Sequence, residues 1–216
     1  MREQAVRTFL IGYAVVIVPA FIAVLLTDRF DLHGAVNLHH AASFDLLFRY
    51  GTHMADGLVP TIIALLLLLK NWRAFLLVGG SVALSAIAAQ LLKHGLFPDM
   101  DRPSMFLDRM PSVHLVAGVE MHHHNSFPSG HTTSAYSMCL AVAVLFAKRG
   151  PALALAFLAA GLGLSRIYLS QHFTEDVVAG ATIGTLTAYL VYRWLYVSPF
   201  AARGWLDRSP FRRQNQ

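Results

Sequence analysis

The 216-residue sequence is short of charge, because Asp, Glu, Lys and Arg make up only 13% of it while hydrophobic residues make up 56%. A soluble domain usually carries about 25% charged residues, so this shortage excludes an ordinary soluble protein with a polar surface. The apolar residues are collected in runs whose length approaches the roughly 20 residues needed to cross a bilayer. Six predicted membrane helices result, at 8–27, 54–69, 74–92, 132–147, 152–169 and 177–196.

Cysteine is also nearly absent. The single Cys139 excludes an internal disulfide, and its position inside the fourth apolar run indicates a packing role. The first run is longer than the usual core of about 7–15 residues in a secretory signal, and no small-residue cleavage site precedes Asp28. We therefore expect it to remain as a helix of the mature protein. With no repeat and no linker in the sequence, 1–216 is predicted to form one integral-membrane domain, an all-α bundle of six transmembrane helices.

The few charges are unevenly distributed along the chain. A net charge of +5 would suit a nucleic-acid-binding protein, but 11 of the 17 basic residues fall on one side of a six-helix topology. Cytoplasmic segments are enriched in Lys and Arg, so this side and both termini are predicted to be cytoplasmic in the inner membrane. We expect no nucleic-acid partner, and the C-terminal arginines are predicted to anchor the chain near anionic lipid. These basic residues are Arg2, Arg7, Lys70, Arg73, Lys148, Arg149, Arg193, Arg203, Arg208, Arg212 and Arg213.

The opposite, outer face holds 10 of the 12 acidic residues and all 11 histidines. Its first segment, 28–53, mixes aromatic and charged residues as a helix lying at the membrane interface would. Its second, 93–131, is punctuated by Pro111 and Gly118, and 114–120 is typical of a short extended stretch. This face is therefore the place to look for a polar, extramembrane functional site.

One candidate site segment is Pro128-Ser129-Gly130-His131, just where the fourth membrane helix should begin. Serine is a favoured N-cap, and glycine allows a ligand to approach the backbone closely. The free N–H groups and positive dipole of a helix start favour anions. Taken alone, the segment is equally typical of a capped helix start that happens to carry a histidine.

The other candidate segment runs from Ser165-Arg166 to His172 and Asp176, between the fifth and sixth helices. His172 and Asp176 are four residues apart, so on a helix their side chains share one face. A carboxylate that holds one imidazole nitrogen leaves the other free to act as a nucleophile. Arg166 offers a planar fork suited to phosphate oxygens. An isolated pair of this kind is usually a surface contact, but this one is predicted on the same face as the first segment.

Together the two segments resemble the second and third motifs of the type-2 phosphatidic acid phosphatase superfamily, which also contains vanadium haloperoxidases and class A acid phosphatases. Both motifs match completely and in the right order, and the membrane branch of the family also has six helices. The family's first motif is Lys-x6-Arg-Pro, whereas here eight residues separate Lys93 from Arg102-Pro103. The other two lysines, Lys70 and Lys148, are predicted on the opposite face, so a lysine that serves this site must be Lys93. Arg109 precedes methionine rather than proline and fits less well.

The resemblance implies catalytic roles for His172, His131 and Asp176. His172 would attack phosphorus and form a phosphohistidine, Asp176 would orient it, and His131 would protonate the leaving oxygen and later activate water. The substrate-binding residues implied are Lys93, Arg102, Ser129, Gly130 and Arg166. Three cations can replace the metal ions that many phosphatases use, so no metal and no other cofactor is expected.

Other readings of the sequence remain open. The runs His122-His123-His124 and His39-His40 could suggest metal binding, but consecutive histidines point in different directions and no partner ligand pattern accompanies them.

The chain could also be a haloperoxidase-like enzyme or a transporter with charged groups in its bundle. We expect instead a lipid phosphatase with a periplasmic site, acting on undecaprenyl pyrophosphate, lipid A, phosphatidylglycerol phosphate or phosphatidic acid. The 104–127 segment is the candidate for selecting the headgroup. The oligomeric state is left open.

Overall fold

The computed structural model describes residues 1–211, so Arg212 and Arg213 of the predicted C-terminal anchor lie outside the described residues. Eight α-helices form most of this part of the chain, and no β-strand occurs within it. They are α1 (Arg2–Leu26), α2 (Arg29–Asn37), α3 (Ala42–Gly51), α4 (Leu58–Leu68), α5 (Trp72–Leu91), α6 (Gly130–Phe146), α7 (Arg149–Tyr168) and α8 (Thr174–Tyr196). The all-α class predicted from the sequence is confirmed.

Each of the six predicted apolar runs forms a helix, but these helices differ in how well they fit a bilayer. α1, α7 and the stretch Trp72–Leu96 are long and apolar enough to cross a membrane. α3 and α4, with the short turn between them, could make a fourth span that is bent by 47°. α6 has only 17 residues, and α8 is not among the candidate spans. Six helices are therefore present where six were predicted, but six membrane crossings are not confirmed.

α6 and α8 pack against each other within the bundle. Most side chains over 132–144 are buried, and two glycines on α8 allow the helices to touch. A Cβ atom on Gly184 would lie 2.3 Å from the carbonyl oxygen of Thr133, and one on Gly180 would lie 2.6 Å from that of Ser129. Helices surrounded by other helices can carry small and polar residues that a lipid-facing helix cannot. Gly180 and Gly184 thus allow α6 and α8 to pack closely within the bundle.

Short polar side chains determine where several helices begin. Asp28, Asn71 and Ser129 accept hydrogen bonds from backbone N–H groups in the first turns of α2, α5 and α6, at 2.8, 2.8 and 3.4 Å. Each satisfies a donor that the helix itself leaves unpaired. The cap of α6 matters most for function, because it fixes the start of the helix that carries His131.

Segment 28–53 forms two helices, α2 and α3, rather than the one short interfacial helix expected. α3 has no buried residue, and Phe44, Leu46, Leu47 and Tyr50 are exposed along it. Such a helix suits the headgroup region, where aromatic and apolar side chains can enter the membrane surface. α2 instead packs against the ends of α7 and α8, and its buried residues His33 and Asn37 face them.

The opposite end of the bundle is closed by the C-terminal turns. Arg73, at the start of α5, is only 8% exposed and donates to both carboxylate oxygens of Asp207 at 2.7 and 2.6 Å. The backbone N–H of Trp72 donates to the carbonyl of Arg208 at 3.1 Å. These contacts hold the segment after α8 against the start of α5.

Candidate active site

The two candidate segments meet at one end of the bundle. The backbone N–H of Ser129 donates to the carbonyl oxygen of Asp176 at 3.0 Å, so the starts of α6 and α8 lie side by side. His172 belongs to the short loop that joins α7 to α8. Gly130 is exposed, and nothing lies within 4 Å of the place where its Cβ would be, so the start of α6 is open to a ligand.

His172 is held on one side by Asp176, although it lies in the loop just before α8 and not on a shared helix face as its spacing suggested. Its Nδ1 lies 3.3 Å from Oδ2 of Asp176, a carboxylate with no exposed surface. The same oxygen accepts hydrogen bonds from the Ser126 hydroxyl at 2.5 Å and from the Phe173 backbone N–H at 3.0 Å. Three donors around one carboxylate oxygen fix its position, which in turn fixes the imidazole with Nε2 pointing away.

The other nitrogen of His172 faces Arg102. The guanidinium Nη1 lies 3.4 Å from Nε2 and also donates to the Gln171 carbonyl at 3.2 Å, while Nε donates to the His124 carbonyl at 2.9 Å. Arg102 is therefore anchored by backbone groups on two sides. Arg109 lies elsewhere, over the ring of Phe30. Of the two arginines weighed from the sequence, Arg102 is the one beside His172.

The surroundings keep His172 uncharged. Its side chain is 1% exposed, and burial, followed by the positive charges of Arg102, Arg166 and Lys93, holds its pKa well below its ordinary value. A neutral imidazole has the free electron pair that a nucleophile needs. All three cations predicted from the sequence therefore contribute to the lowered pKa of His172.

Lys93 lies in a π-helical turn, Leu92–Leu96, that continues α5, and it is only 9% exposed. Such turns often occur at functional sites because they add a residue to a helix and redirect its side chains. The longer spacing of the first motif is thus compatible with placing Lys93 next to His172. Within 1–211 its ammonium group makes no hydrogen bond.

Arg166 and His131 have partners that sequence reasoning missed. Arg166 donates through Nη1 to the hydroxyl of Thr52 at 2.8 Å. His131 Nε2 lies 2.5 Å from a carboxylate oxygen of Asp56. Both partners lie more than 70 residues earlier in the chain, in the turn that precedes α4, and no periodicity or motif connects them to the site. A single indication was present in the sequence, which is that Asp56 is an acidic residue near the start of the apolar run 54–69.

A cavity of about 450 Å³ opens beside these groups. His131 and Arg166 form part of its wall, and the remainder is mostly polar. The other lining residues are Arg49, Tyr50, Thr52, His53, Asp56, Gly118, Val119, Glu120, His122, Leu169 and Gln171. The cavity is large enough for part of a phosphorylated ligand, and it places polar side chains where such a ligand would lie.

The 104–127 segment contributes to this cavity, but the extended stretch expected at 114–120 is not a strand. Side chains from the helices take its backbone groups instead. Asn37 binds both backbone groups of His114, Arg49 donates to the Ala117 carbonyl at 2.9 Å, and the Gln171 amide donates to the Glu120 carbonyl at 3.0 Å. With its backbone satisfied in this way, the segment follows an irregular path with a turn at Gly118.

The histidine runs are involved in ordinary polar contacts. His124 pairs with Asp101 at 2.7 Å, and His123 lies 3.1 Å from the Ser104 hydroxyl. The ring of His40 stacks on that of His114 at 4.2 Å between centroids. These contacts give both runs a role in holding the outer segments together.

Comparison with known proteins identifies the family of this chain. A model of the PAP2 superfamily matches residues 74–199, which include all three motifs. The chain belongs to the PAP2 superfamily. The resemblance inferred from Pro128–His131 and from Arg166–Asp176 is confirmed by a match that covers more than half of the sequence.

Several relatives in the PAP2 superfamily are named as lipid phosphatases. The chain is 29% identical over 143 residues to a lipid A 4'-phosphatase of Porphyromonas gingivalis, covering 65% of this chain and 59% of the relative. It is 33% identical over 132 residues to a lipid A 1-phosphatase of Rhizobium johnstonii, covering 58% and 51%. A shorter match, 36% over 75 residues, is to phosphatidylglycerophosphatase B of Bacillus subtilis, covering 31% and 37%. The chain thus spans less than two thirds of the length of these relatives.

Solved structures of PAP2 proteins share the fold. The crystal structure of Aquifex aeolicus LpxE superposes with a TM-score of 0.66 at 24% identity, over 76% of this chain and 94% of that one. A transmembrane PAP2-type phosphatidylglycerolphosphate phosphatase from Bacillus subtilis gives 0.63 at 19% identity, over 92% and 98%. At these sequence identities the similarity shows the fold alone, that is, the arrangement of the helices.

Proposed function

We propose that this chain is an integral-membrane lipid phosphatase that hydrolyses a phosphate monoester or pyrophosphate of a membrane lipid through a phosphohistidine on His172. The observation that carries the proposal is the two-sided environment of this imidazole. Nδ1 faces the buried Asp176 carboxylate, and Nε2 faces Arg102 within a cluster of cations. This arrangement prepares Nε2 to attack an anionic phosphorus centre.

The reaction would proceed in two displacements. Nε2 of His172 attacks phosphorus as the bond to the lipid oxygen breaks, and His131 donates a proton to that oxygen, so the dephosphorylated lipid can leave. Water then attacks the phosphohistidine, His131 takes a proton from the water, and the N–P bond breaks to release inorganic phosphate. General acid–base assistance of this kind contributes about 10²–10⁴-fold to the rate.

The phosphoryl oxygens would be held by Lys93, Arg102 and Arg166, together with Ser129 and the exposed Gly130 amide at the start of α6. The charges of the three cations all act on His172, and the start of α6 adds the positive end of a helix dipole. We propose that these groups stabilise the transition-state charge without a metal ion. Phosphate entering the site would take over the present contact between Arg102 and Nε2.

The substrate would be a lipid whose phosphate lies at headgroup depth. The names of the relatives indicate lipid A and phosphatidylglycerophosphate as classes to test first. Undecaprenyl pyrophosphate and phosphatidic acid complete the panel. The positive-inside distribution of charge supports a site on the periplasmic face of the inner membrane, with both termini in the cytoplasm.

The test is phosphate release from this lipid panel in detergent micelles by wild type and His172→Ala. Exposed His39, whose ring forms a hydrogen bond with the carbonyl of Ala35, offers a matched control as His39→Ala. We expect His172→Ala to abolish turnover and also the acid-labile phosphoenzyme trapped from a labelled substrate. Wild-type-like turnover by His172→Ala would refute the nucleophile.

Two further measurements test the remaining parts of the proposal. Turnover that collapses in EDTA and returns with a divalent metal would refute the metal-free mechanism. For topology, a reporter fused to the C-terminus is expected to be active only in the cytoplasm, and a periplasmic signal would overturn the predicted orientation.

A further inference from the structure

Asp56 lies between two histidines. Its Oδ1 is 2.5 Å from Nε2 of His131, and its Oδ2 is 2.6 Å from Nδ1 of His53. The carboxylate precedes α4 and lies outside both the three motifs and the matched segment 74–199. The proposed mechanism assigns it no task, although it touches the proposed general acid.

The same turn also contacts the other side of the site. Thr52, at the start of the 3₁₀ turn Thr52–Ala55, accepts the hydrogen bond from Arg166. One short segment therefore contacts one residue from each of the two motifs that match the family completely. Such a segment can fix the relative position of His131 and Arg166.

The charges around His131 explain why a carboxylate is needed there. The groups facing it are Arg166 from α7 and Arg102 from the loop after α5, both positive, and Asp56, which is negative. A general acid must carry a proton before the reaction, and two cations nearby disfavour the protonated imidazolium. Burial and the two arginines lower the pKa of His131, and the Asp56 carboxylate, 2.5 Å from Nε2, opposes this shift in part.

We propose that Asp56 is a positioning residue for His131: it holds Nε2, stabilises the imidazolium form and leaves Nδ1 to exchange a proton with the leaving oxygen and then with water. The inference rests on the proposed function. His53, exposed at the cavity, would hold the second oxygen of Asp56 and so prevent the carboxylate from rotating away. Each of the two catalytic histidines would then have its own carboxylate, Asp176 for His172 and Asp56 for His131.

The ionisation of Asp56 agrees with this role. Burial alone would raise the pKa of the carboxyl group, but the hydrogen bond with His53 and the charge of His131 outweigh it, and the pKa lies below its ordinary value. Asp56 is therefore an anion at neutral pH. An anion is what the imidazolium of His131 requires as a partner.

The test compares leaving groups. An alkyl lipid phosphate needs a proton on its departing oxygen, whereas p-nitrophenolate leaves without one. We expect Asp56→Asn, which keeps the shape but removes the charge, to lose about 100-fold on the lipid, within the range that general acid catalysis supplies. The burst of p-nitrophenolate released from p-nitrophenyl phosphate by the same sample, which reports only the first displacement and not the later attack of water, should change little, and it also shows that the site is folded. Exposed Asp108, whose side chain forms no hydrogen bond or ion pair within 1–211, gives the control Asp108→Asn.

A double-mutant cycle with His131→Ala adds a second readout. If Asp56 acts through His131, the double variant should be no slower on the lipid than His131→Ala alone. Losses that multiply, or an equal loss on both substrates, would overturn the inference while leaving the phosphatase assignment intact. Activity in His172→Ala would instead refute the underlying function, so the two failures are distinguishable.

Discussion

The hydroxyl of Ser126 donates to Oδ2 of Asp176 at 2.5 Å, the same oxygen that faces Nδ1 of His172. Ser126 and Asp176 are both fully buried, and the serine precedes the second motif by two residues. This contact connects the loop before α6 to the start of α8. It makes the orientation of the proposed nucleophile depend on a residue outside the family motifs.

Ser126→Ala is therefore expected to slow phosphate release without abolishing it. The Phe173 N–H still holds the carboxylate, so we expect a loss of roughly tenfold, equivalent to about 1.4 kcal/mol of transition-state stabilisation. The measurement is kcat in detergent micelles, with exposed Ser112→Ala as the control. Unchanged kcat in Ser126→Ala would show that the hydrogen bond does not orient Asp176.

A second prediction concerns stability in acid and rests on His33. This side chain is completely buried on α2, with Nε2 3.1 Å from the Ser170 hydroxyl. Burial, together with the charge of Arg29, lowers its pKa to about 4, although Asp176 opposes the shift. In the unfolded chain this histidine has an ordinary pKa of about 6.5, so between about pH 6.5 and pH 4 it binds a proton in the unfolded state but not in the folded state. The contribution of His33 to the free energy of unfolding is therefore greatest above about pH 6.5 and is lost as the pH falls toward 4.

Thermal unfolding in detergent between about pH 7 and pH 4 tests this sign. Wild type should lose stability steadily on acidification, and His33→Gln, which cannot titrate, should show a shallower slope. His172 is also held neutral by burial and adds to the slope in both proteins. The exposed His39→Gln provides the control, and identical slopes in wild type and His33→Gln would contradict the assignment.

Much of the site could be predicted from the sequence because its chemistry lies in short local patterns. His172 and Asp176 are four residues apart across the start of α8, and Ser129 to His131 coincide with the start of α6. Residues this close in sequence at a helix start lie near each other in the fold. Lys93 required the topology as well, since only the distribution of charges placed it on the right face.

The site residues that could not be predicted from the sequence are those whose contacts depend on tertiary structure alone. Asp56 meets His131 and Thr52 meets Arg166 across long stretches of chain, and neither pair leaves a periodic trace. The extended stretch at 114–120 was wrong for a related reason, because side chains such as Asn37 bind its backbone in place of a neighbouring strand. Local propensity could not reveal these partners.

A third prediction concerns lipid preference. Glu120 and His122 line the polar cavity next to His131, so a headgroup that occupies the cavity must contact them. We expect Glu120→Gln and His122→Ala to change relative rates across the lipid panel, mainly through KM, because they remove contacts to the ligand and leave the reacting groups in place. His123→Ala, whose side chain instead contacts Ser104, is the control. The same order and ratio of rates in every variant would dismiss the segment as a selecting element.

The last prediction tests how the α6–α8 contact supports the site. A methyl group added at Gly184 would lie 2.3 Å from the Thr133 carbonyl oxygen, a backbone atom that can move only if α6 moves. Because the starts of both helices are joined by the bond from Ser129 to Asp176, a shift of α6 would also disturb the proposed catalytic groups.

Gly184→Ala should therefore lower both thermal stability and kcat, with overpacking costs of about 1–3 kcal/mol. Gly161, in the middle of α7, has no atom within 4 Å of the position that an added methyl group would take, so Gly161→Ala is the matched control in the same bundle. We expect the control to remain as stable as wild type, since alanine is the better helix former. Equal stability and activity in the two variants would mean that the bundle can separate α6 from α8 at no cost, and that the close glycine contact is not what holds the site together.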